Sequence, residues 1–421
     1  MIVPSIDLMG GQAVQLVGGE TRAIDAGDPR PIAERFRLAG EIAVIDLDAA
    51  LGQGDNAPLI RELCRMAPCR VGGGIRSVEA ARAWLDAGAV KVILGTAARP
   101  DILGRLPRER VIAALDARHG QVVVEGWRTP TGAAVPERMA ALRDLVGGFL
   151  VTFVEREGRM AGIDAGAIGA LVGHAGGARL TVAGGFTTAA DIAVADRAGA
   201  DAQVGMALYT GRLGLAEAIA APLVSDRPDG LWPTVVTDEH GTALGLAYSD
   251  IASLRAAVKR RRGVYHSRTR GLWVKGESSG ATQELLRVDL DCDRDTLRFV
   301  VRQAGAGFCH RDTWTCWSDA PGLDGLARRL AARATAAPEG SYTRRLLDDP
   351  ALLRAKLVEE AGELADADGA GPVAHEAADL TYFLLVALAR GDVPLAAIVE
   401  ELDRRALRPS RRPGDAKPER S

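Results

Sequence analysis

At 421 residues, 47% of them hydrophobic, the chain has enough apolar side chain for well-buried cores and is too long for one ordinary domain. A net charge of −3 and an aromatic fraction of 4% leave no global electrostatic footprint for nucleic acid and no supply of base-stacking platforms. Five cysteines, an odd number, argue against a disulfide framework, and no apolar run reaches membrane-spanning length, so a reducing cytoplasm and no membrane partner are expected. Met1-Ile2-Val3-Pro4-Ser5-Ile6-Asp7 reads as a strand that starts immediately, with no basic region ahead of an apolar one. The mature protein is expected to begin there.

Residues 1 to about 222 alternate short β-branched apolar runs with amphipathic helical stretches. The expected strands are Ile2–Asp7, Ile42–Leu47, Cys69–Gly73, Lys91–Gly95, Val111–Asp116, Phe149–Val154, Arg179–Gly184 and Ala202–Gly205. Eight strand–helix units of this length point to a closed (β/α)8 barrel, the TIM barrel. The run Val71–Ser77 resembles Val182–Thr188, at a spacing of 111 residues, and Asp7 and Asp116 end the first and fifth strands at a spacing of 109. The barrel therefore reads as two half-barrels with matching functional positions. Asp7 and Asp116 would face each other across the mouth as an acid/base pair. The glycine loops around Gly73, Gly74, Arg76, Gly95 and Thr96, and around Gly184, Gly185 and Gly205, offer two phosphate sites, because backbone N–H groups approach closely there.

On Ile6-Asp7-Leu8, Val71–Ser77, Leu115-Asp116 and Gly126-Trp127, residues 1 to about 222 resemble the phosphoribosylformimino-aminoimidazole carboxamide ribotide isomerase family. The resemblance implies Asp7 as base, Asp116 as second acid/base group, Thr152 as a substrate-orienting residue and Trp127 at the substrate. The sister cyclase of imidazole glycerol phosphate synthase has a lysine shortly after the first aspartate, whereas the first lysine here is Lys91 and Gln15 stands near that position. The chain departs from the isomerase pattern at Gln15 and Met206, both arginine in the family, and at Glu157-Gly158-Arg159 in the loop after the sixth strand. Glu157 still offers a carboxylic acid where the family has Asp. These departures leave open a divergent isomerase, one of altered specificity or one without activity.

Ser225–Gly230 reads as a linker, and Leu231 to about Pro321 as a strand-rich segment with extended runs at Thr234–Thr237, Leu244–Tyr248, Gly263–Ser267, Leu286–Leu290 and Leu297–Gln303. Lys259-Arg260-Arg261-Arg262 suits the negative end of a helix. Asp291-Cys292-Asp293-Arg294-Asp295 reads as a strand that places three carboxylates on one face and Cys292 on the other. Three like charges need a cation, and with Cys309 and Cys316 nearby the donors suit two metals, one soft and one hard. His310 is open as a fourth ligand or as a base. Ser267, Arg268, Arg270, Lys275 and Ser279 fit a phosphate and ribose pocket, or a plain basic hairpin.

Ser267-Arg268-Thr269-Arg270, Leu272–Gly280, Asp291–Asp295 and Cys309-His310 with Cys316 occur in the order of phosphoribosyl-AMP cyclohydrolase, and the segment resembles that family over about 230 to 318. The resemblance implies Zn2+ on Cys292, Cys309 and Cys316, Mg2+ on Asp291, Asp293 and Asp295, and a homodimer with the site at its interface. It also implies hydrolytic opening of an adenine ring. The departure at Ser249, usually Met, looks peripheral.

After Gly322 the sequence is helical to about Arg408. Glu360 and Glu363 are three apart, as are Glu376 and Asp379, so each pair shares a helix face; a turn at Gly369–Pro372 would bring four carboxylates together. On Gly340–Leu347, Lys356–Glu363 and Glu376–Leu380, residues 323 to 406 resemble phosphoribosyl-ATP pyrophosphatase, an all-helical nucleotide pyrophosphohydrolase. The resemblance implies Mg2+ on Glu360, Glu363, Glu376 and Asp379, with Glu359 assisting a water and Lys356 at phosphate. A basic pair of the family is reduced to Lys356 by Ala355, and a usual lysine is Arg345.

The resulting expectation is a multidomain chain: a barrel domain over 1–224, a small β-rich α+β metal domain over 228–321, an all-α domain over 322–408 and a disordered tail over 409–421. Together the resemblances imply a fused enzyme of histidine biosynthesis acting on phosphoribosyl nucleotides. One alternative is a bifunctional hydrolase with an inactive or altered barrel. Another is a non-catalytic zinc-ribbon scaffold, which requires four zinc ligands, an aromatic and basic face, and no magnesium carboxylates.

Overall fold

A computed structural model describes residues 1–124, 127, 129–319 and 322–410. Gly126 and the end of the expected tail, 411–421, lie outside the described residues. The chain separates into two compact units, one of Met1–Val236 with Leu246–Gly305 and residues 407–410, the other of Thr237–Gly245 with Ala306–Ala406.

In the first unit, β1 (Ile2–Met9) is followed by a hairpin of β2 (Gln12–Val17) and β3 (Thr21–Gly27). Then come β4 (Ile42–Asp46), β5 (Cys69–Gly72), β6 (Lys91–Leu94) and β7 (Val111–Arg118), with a second hairpin of β8 (Gln121–Val124) and β9 (Thr129–Ala134). The strands β10 (Gly148–Phe153), β11 (Arg179–Ala183) and β12 (Ala200–Val204) complete the set. Parallel pairing runs β10-β11-β12-β1-β4-β5-β6-β7, and β7 pairs back to β10, which closes an eight-stranded barrel. All eight expected barrel strands are present. The hairpins β2–β3 and β8–β9 were not anticipated; they extend β1 and β7, the two strands that carry the acidic pair, and so repeat the half-barrel symmetry.

Ile93, Ile112, Leu150 and Ala183 fill the barrel interior against Ile45 and Ala114. Arg70 is also buried, held by Glu41 at 2.5 Å and by the Thr181 hydroxyl at 3.0 Å. Residues 70 and 181 are themselves 111 apart, so this bond crosses the barrel between symmetry-equivalent positions. Lys91 also binds Glu41 (2.7 Å), and the two cations outweigh the burial that would otherwise keep that carboxylate neutral.

Beyond the barrel, β13 (Trp232–Asp238), β14 (Ala243–Ser249), β15 (Val264–Ser267), β16 (Gly271–Val274), β17 (Gln283–Leu290) and β18 (Leu297–Gln303) follow. They form a sheet ordered β14-β13-β18-β17 and a separate β15–β16 hairpin. The helix Ile251–Arg260 ends on Arg261 in left-handed conformation, with Lys259 and Arg260 in its last turn, as the basic run suggested. Asp291–Asp295, expected as a strand, is instead the bend joining β17 to β18. The Asp291 carboxylate accepts from the amides of Asp295 and Thr296, a local bond that competes with ladder pairing, and Arg294 has φ 68°. The placement of the carboxylates and Cys292 on opposite strand faces falls with the strand.

The second unit carries the cysteine loop and the helices Gly322–Ala336, Tyr342–Asp348, Pro350–Asp366, Ala370–Arg390 and Leu395–Ala406. Leu330, Leu346, Leu353, Phe383, Leu385 and Val386 form its core. Ala370–Arg390, at 21 residues, is long and apolar enough to cross a membrane by length and composition, contrary to the expectation that no stretch would be. It supplies three of those six core residues and carries His375, Glu376 and Asp379. The turn before it falls on residues 367–369, and Ala370–Pro372 already belong to the helix.

Candidate active sites

Parallel strands in a closed barrel deliver their C-terminal ends to one mouth, so Asp7 on β1 and Asp116 on β7 both reach it. Burial pushes the Asp7 carboxyl up to about 7. Asp116 is also raised by burial, against hydrogen bonds from Trp127 and from Thr152, its register partner on β10. Glu157 stands nearest this pair in charge terms: burial first, then the negative fields of Asp7 and Asp116, lift it to about 8. Asp7 and Glu157 therefore titrate close to neutrality beside a third raised carboxyl, Asp116, an arrangement suited to exchanging protons in both directions.

The hairpins wall the mouth. The Gly18 amide donates to the Glu157 carbonyl at 3.1 Å, and the Trp127 ring lies so close over Gly19 that a Cβ there would overlap it. The turn after β1 is pinned by Gly10 N–H to Asp48 at 2.6 Å and Gly11 N–H to Asn56 at 2.8 Å, while Asn56 donates to Asp46. This network went unread in the sequence; its members are scattered polar residues with no shared motif.

The two glycine loops are equivalent in conformation. Gly73 and Gly184 have φ of 94° and 92°, and a Cβ on either would overlap a carbonyl oxygen, of Asp46 or of Phe153. Gly74 and Gly185 are also left-handed. At Gly205 a Cβ would meet Gln15 and, at 2.8 Å, the Ser5 hydroxyl. Gly95 and Thr96 are exposed at the mouth end of β6. Arg76 spends its guanidinium on the carbonyls of Ala49 (3.2 Å) and Ala50 (3.1 Å), bracing the short helix Leu47–Leu51 that follows β4. Replacing Gly73 by Ala should cost about 2 kcal/mol of stability or more, from positive-φ strain and the carbonyl overlap. Chemical denaturation would show it.

In the bend after β17, one carboxylate oxygen each from Asp291, Asp293 and Asp295 fall within 4.8 Å of one another, close enough for a single hard cation. Cys292 is exposed, its sulfur 4.0 Å from an Asp293 oxygen. Around the β15–β16 hairpin, Arg268 lies over the Tyr248 ring (4.9 Å) and Arg270 over Trp273 (5.7 Å). Ser267 accepts from the Arg270 amide and Ser279 from the Ala281 amide, so both serines shape turns. Lys275 is buried and donates to the Ala281 carbonyl at 3.2 Å.

In the second unit, Cys309 and Cys316 are neighbours. Hydrogen bonds from the Arg311 amide and Thr313, and then from the Cys316 thiol, hold the Cys309 thiol below its ordinary range, which favours the metal-binding thiolate. The His310 Nδ1 lies 4.0 Å from the Cys309 sulfur. Gly245 has no room for a Cβ beside the Phe308 ring and the Cys316 sulfur, so the neighbouring backbone closes tightly on this loop.

On the helices Pro350–Asp366 and Ala370–Arg390, carboxylate oxygens of Glu360, Glu363 and Glu376 converge within 4.8 Å. Burial and the neighbouring charges of Glu360 and Glu376 raise Glu363. Asp379, expected as a fourth member, is outside this trio and lies 3.6 Å from His375. Lys356 bridges Glu359 and Glu360 at 2.9 Å each.

Three family profiles match the chain in sequence: "Histidine biosynthesis protein" over residues 1–214, "Phosphoribosyl-AMP cyclohydrolase" over 245–318 and "Phosphoribosyl-ATP pyrophosphohydrolase" over 323–406. A histidine biosynthesis trifunctional protein of Neurospora crassa is 51% identical over 207 residues, covering 49% of this chain and 24% of that relative. A histidine biosynthesis bifunctional protein of Schizosaccharomyces pombe is 50% identical over 206 residues, 49% of each. An imidazole-4-carboxamide isomerase of Methanoregula boonei is 40% identical over 232 residues, covering 52% of this chain and 98% of that protein. The chain thus spans between a quarter and a half of the fungal relatives it matches.

Proposed function

The chain belongs to the histidine biosynthesis protein family, and on that premise we propose a trifunctional enzyme for three consecutive steps. The helical segment, 322–408, hydrolyses phosphoribosyl-ATP to phosphoribosyl-AMP and pyrophosphate. The segment 228–321 opens the adenine ring of phosphoribosyl-AMP by hydrolysis. The barrel, 1–224, isomerises the resulting aminoaldose to an aminoketose. The observation that carries the reading is the succession of three unlike sites, each of the chemistry its step needs, in one chain: a proton-exchanging carboxyl group set, a thiolate and carboxylate set, and an acidic helix pair.

In the barrel, the two glycine loops bind a phosphate at each end of the substrate and set its reacting carbons between β1 and β7. Asp116, oriented by Thr152 and Trp127, gives a proton to the ribose ring oxygen as the ring opens. Asp7 as carboxylate takes the proton from C2, and Glu157 supplies a neutral carboxyl in the same enclosure. The pH dependence follows. Asp7 must be ionised, so kcat/KM rises as pH passes about 7; Glu157 must be protonated, so it falls above about 8. Replacing Glu157 by Gln should remove the alkaline limb and leave the acid limb near 7, which a pH–rate series on both proteins would check. An unchanged alkaline limb would assign it elsewhere.

In the middle segment, Cys292, Cys309 and Cys316 would hold Zn2+, and the shift of Cys309 toward thiolate fits that donor set. When bound, zinc supplies a water acidified toward neutral pH. Asp291, Asp293 and Asp295 would hold Mg2+, and Arg268, Arg270 and Lys275 would face the phosphate. His310 is placed to move a proton beside the thiolates. In the helical segment Glu360, Glu363 and Glu376 would hold Mg2+, with Asp379 completing the shell, and the repulsion on Glu363 fits such a cation. Mg2+ held there would supply positive charge for diphosphate oxygens. Glu359 orients the attacking water and Lys356 contacts phosphate. A homodimer in a reducing cytoplasm completes the proposal, since the thiolate set needs both protection and a third sulfur.

Complementation of three histidine auxotrophs, each lacking one activity, tests the whole. Rescue of all three is expected. Rescue of the two hydrolase-deficient strains but not the isomerase-deficient one would remove the barrel assignment.

A further inference from the structure

The bend Asp291–Thr296 is fixed by contacts with the barrel. Arg294, at its centre, has φ 68°, a conformation that side chains with a Cβ keep only when their surroundings impose it. Its carbonyl accepts from the Val224 amide at 2.8 Å. Its guanidinium grips Asp196 with two bonds, Nε–Oδ2 at 3.0 Å and Nη2–Oδ1 at 3.1 Å. The remaining nitrogen, Nη1, donates to the Asp291 carbonyl at 2.5 Å. One residue therefore joins the barrel to the first of the three clustered aspartates. The Asp291 carboxylate then orders the rest of the bend through the Asp295 and Thr296 amides.

Asp196 has no use within its own helix. It sits in the last turn of Ala189–Arg197, where a carboxylate faces the negative end of the helix dipole. It is only 10% exposed, and burial would raise it, but Arg294 and the Met1 amine keep it ionised. The helix starts beside the mouth, after Gly185, and runs back, so Asp196 lies at the end of the barrel away from Asp7 and Asp116.

We infer that Asp196 and Arg294 are positioning residues for the acidic bend: a barrel side chain sets the cation affinity of Asp291, Asp293 and Asp295. This rests on reading the bend as a divalent-cation site. The physical reason is preorganisation. Three carboxylates repel when the cation is absent, and a bend free to relax would spread them before binding. An arginine fork locked at both ends holds them close, and its rigidity is what a lysine lacks.

The test uses the full zinc-loaded chain with the helical site silenced by Glu360→Gln and Glu363→Gln, and Mn2+ titrated by electron paramagnetic resonance. Asp196→Ala should weaken Mn2+ binding about tenfold and raise the Mg2+ concentration for half-maximal ring opening, with zinc content and isomerase kcat/KM unchanged. Arg294→Lys keeps the charge and loses the fork; it should weaken binding severalfold even if Asp196→Ala does not fold. Mn2+ affinity within twofold of the parent in both variants, whatever their melting temperatures, would overturn the inference. Asp293→Asn separates the two ideas: if it leaves Mn2+ binding intact, the cation-site reading fails first.

Discussion

Asp7→Asn should lower the kcat of the proposed isomerase by about three orders of magnitude, within the range for removing a positioned general base. Asn keeps the size and the hydrogen bonding of the carboxylate and cannot take a proton. The barrel should remain folded, because the substitution removes a carboxyl whose charged form is disfavoured by burial at that site. In the folded protein this group stays protonated up to about pH 7; unfolded, it ionises far lower. Ionisation therefore favours the unfolded chain increasingly above the unfolded value, and Asn escapes that penalty. The expected result is a barrel that is inactive and at least as stable at pH 8, with pyrophosphate release and ring opening unchanged. Single-turnover isomerase kinetics and thermal melts at pH 5 and pH 8 read both effects. A retained isomerase rate would remove Asp7 from the mechanism.

Cys309→Ala should abolish ring opening to below about one part in a thousand. A three-sulfur set that loses one ligand loses most of its zinc affinity, and the acidified water goes with it. Cys309 is the informative choice because its surroundings favour thiolate, through the Arg311 amide, Thr313 and Cys316. Zinc content measured by atomic absorption should fall with activity, and added zinc should restore little. The isomerase should continue at its parent rate. Full zinc occupancy in the variant would mean that other donors hold the metal, and a four-ligand structural site would become the better reading.

Much of this architecture is legible in the chain itself. The barrel strands announce themselves because strands covered on both faces are continuous apolar runs rich in β-branched residues, such as Ile42-Ala43-Val44-Ile45 and Val92-Ile93-Leu94. The hairpins β2–β3 and β8–β9 are harder to read because they are partly exposed, and their outer strands, Thr21–Gly27 and Thr129–Ala134, carry no such run. The alternation in Asp291–Asp295 suggested a strand because period two is the strand signal. Asp and Arg in that order are instead turn residues once Asp291 caps two amides.

The sequence by itself determined the residue types and their spacing: the 111-residue repeat, the glycine-rich runs, the paired acids on two helices and the three sulfurs. These follow from local rules, since backbone conformation and helix or strand periodicity depend on near neighbours. Only the tertiary structure decided the electrostatics. Asp7, Asp116 and Glu157 are all raised, Asp7 to about 7 and Glu157 to about 8, because barrel closure brings together carboxyls far apart in sequence and excludes water from them. Asp379 stands apart from the trio its spacing suggested because helix packing, not spacing, sets which oxygens converge. Asp196 finds Arg294 across 98 positions, a partnership that no periodicity encodes, since it depends on where two surfaces meet after each has folded.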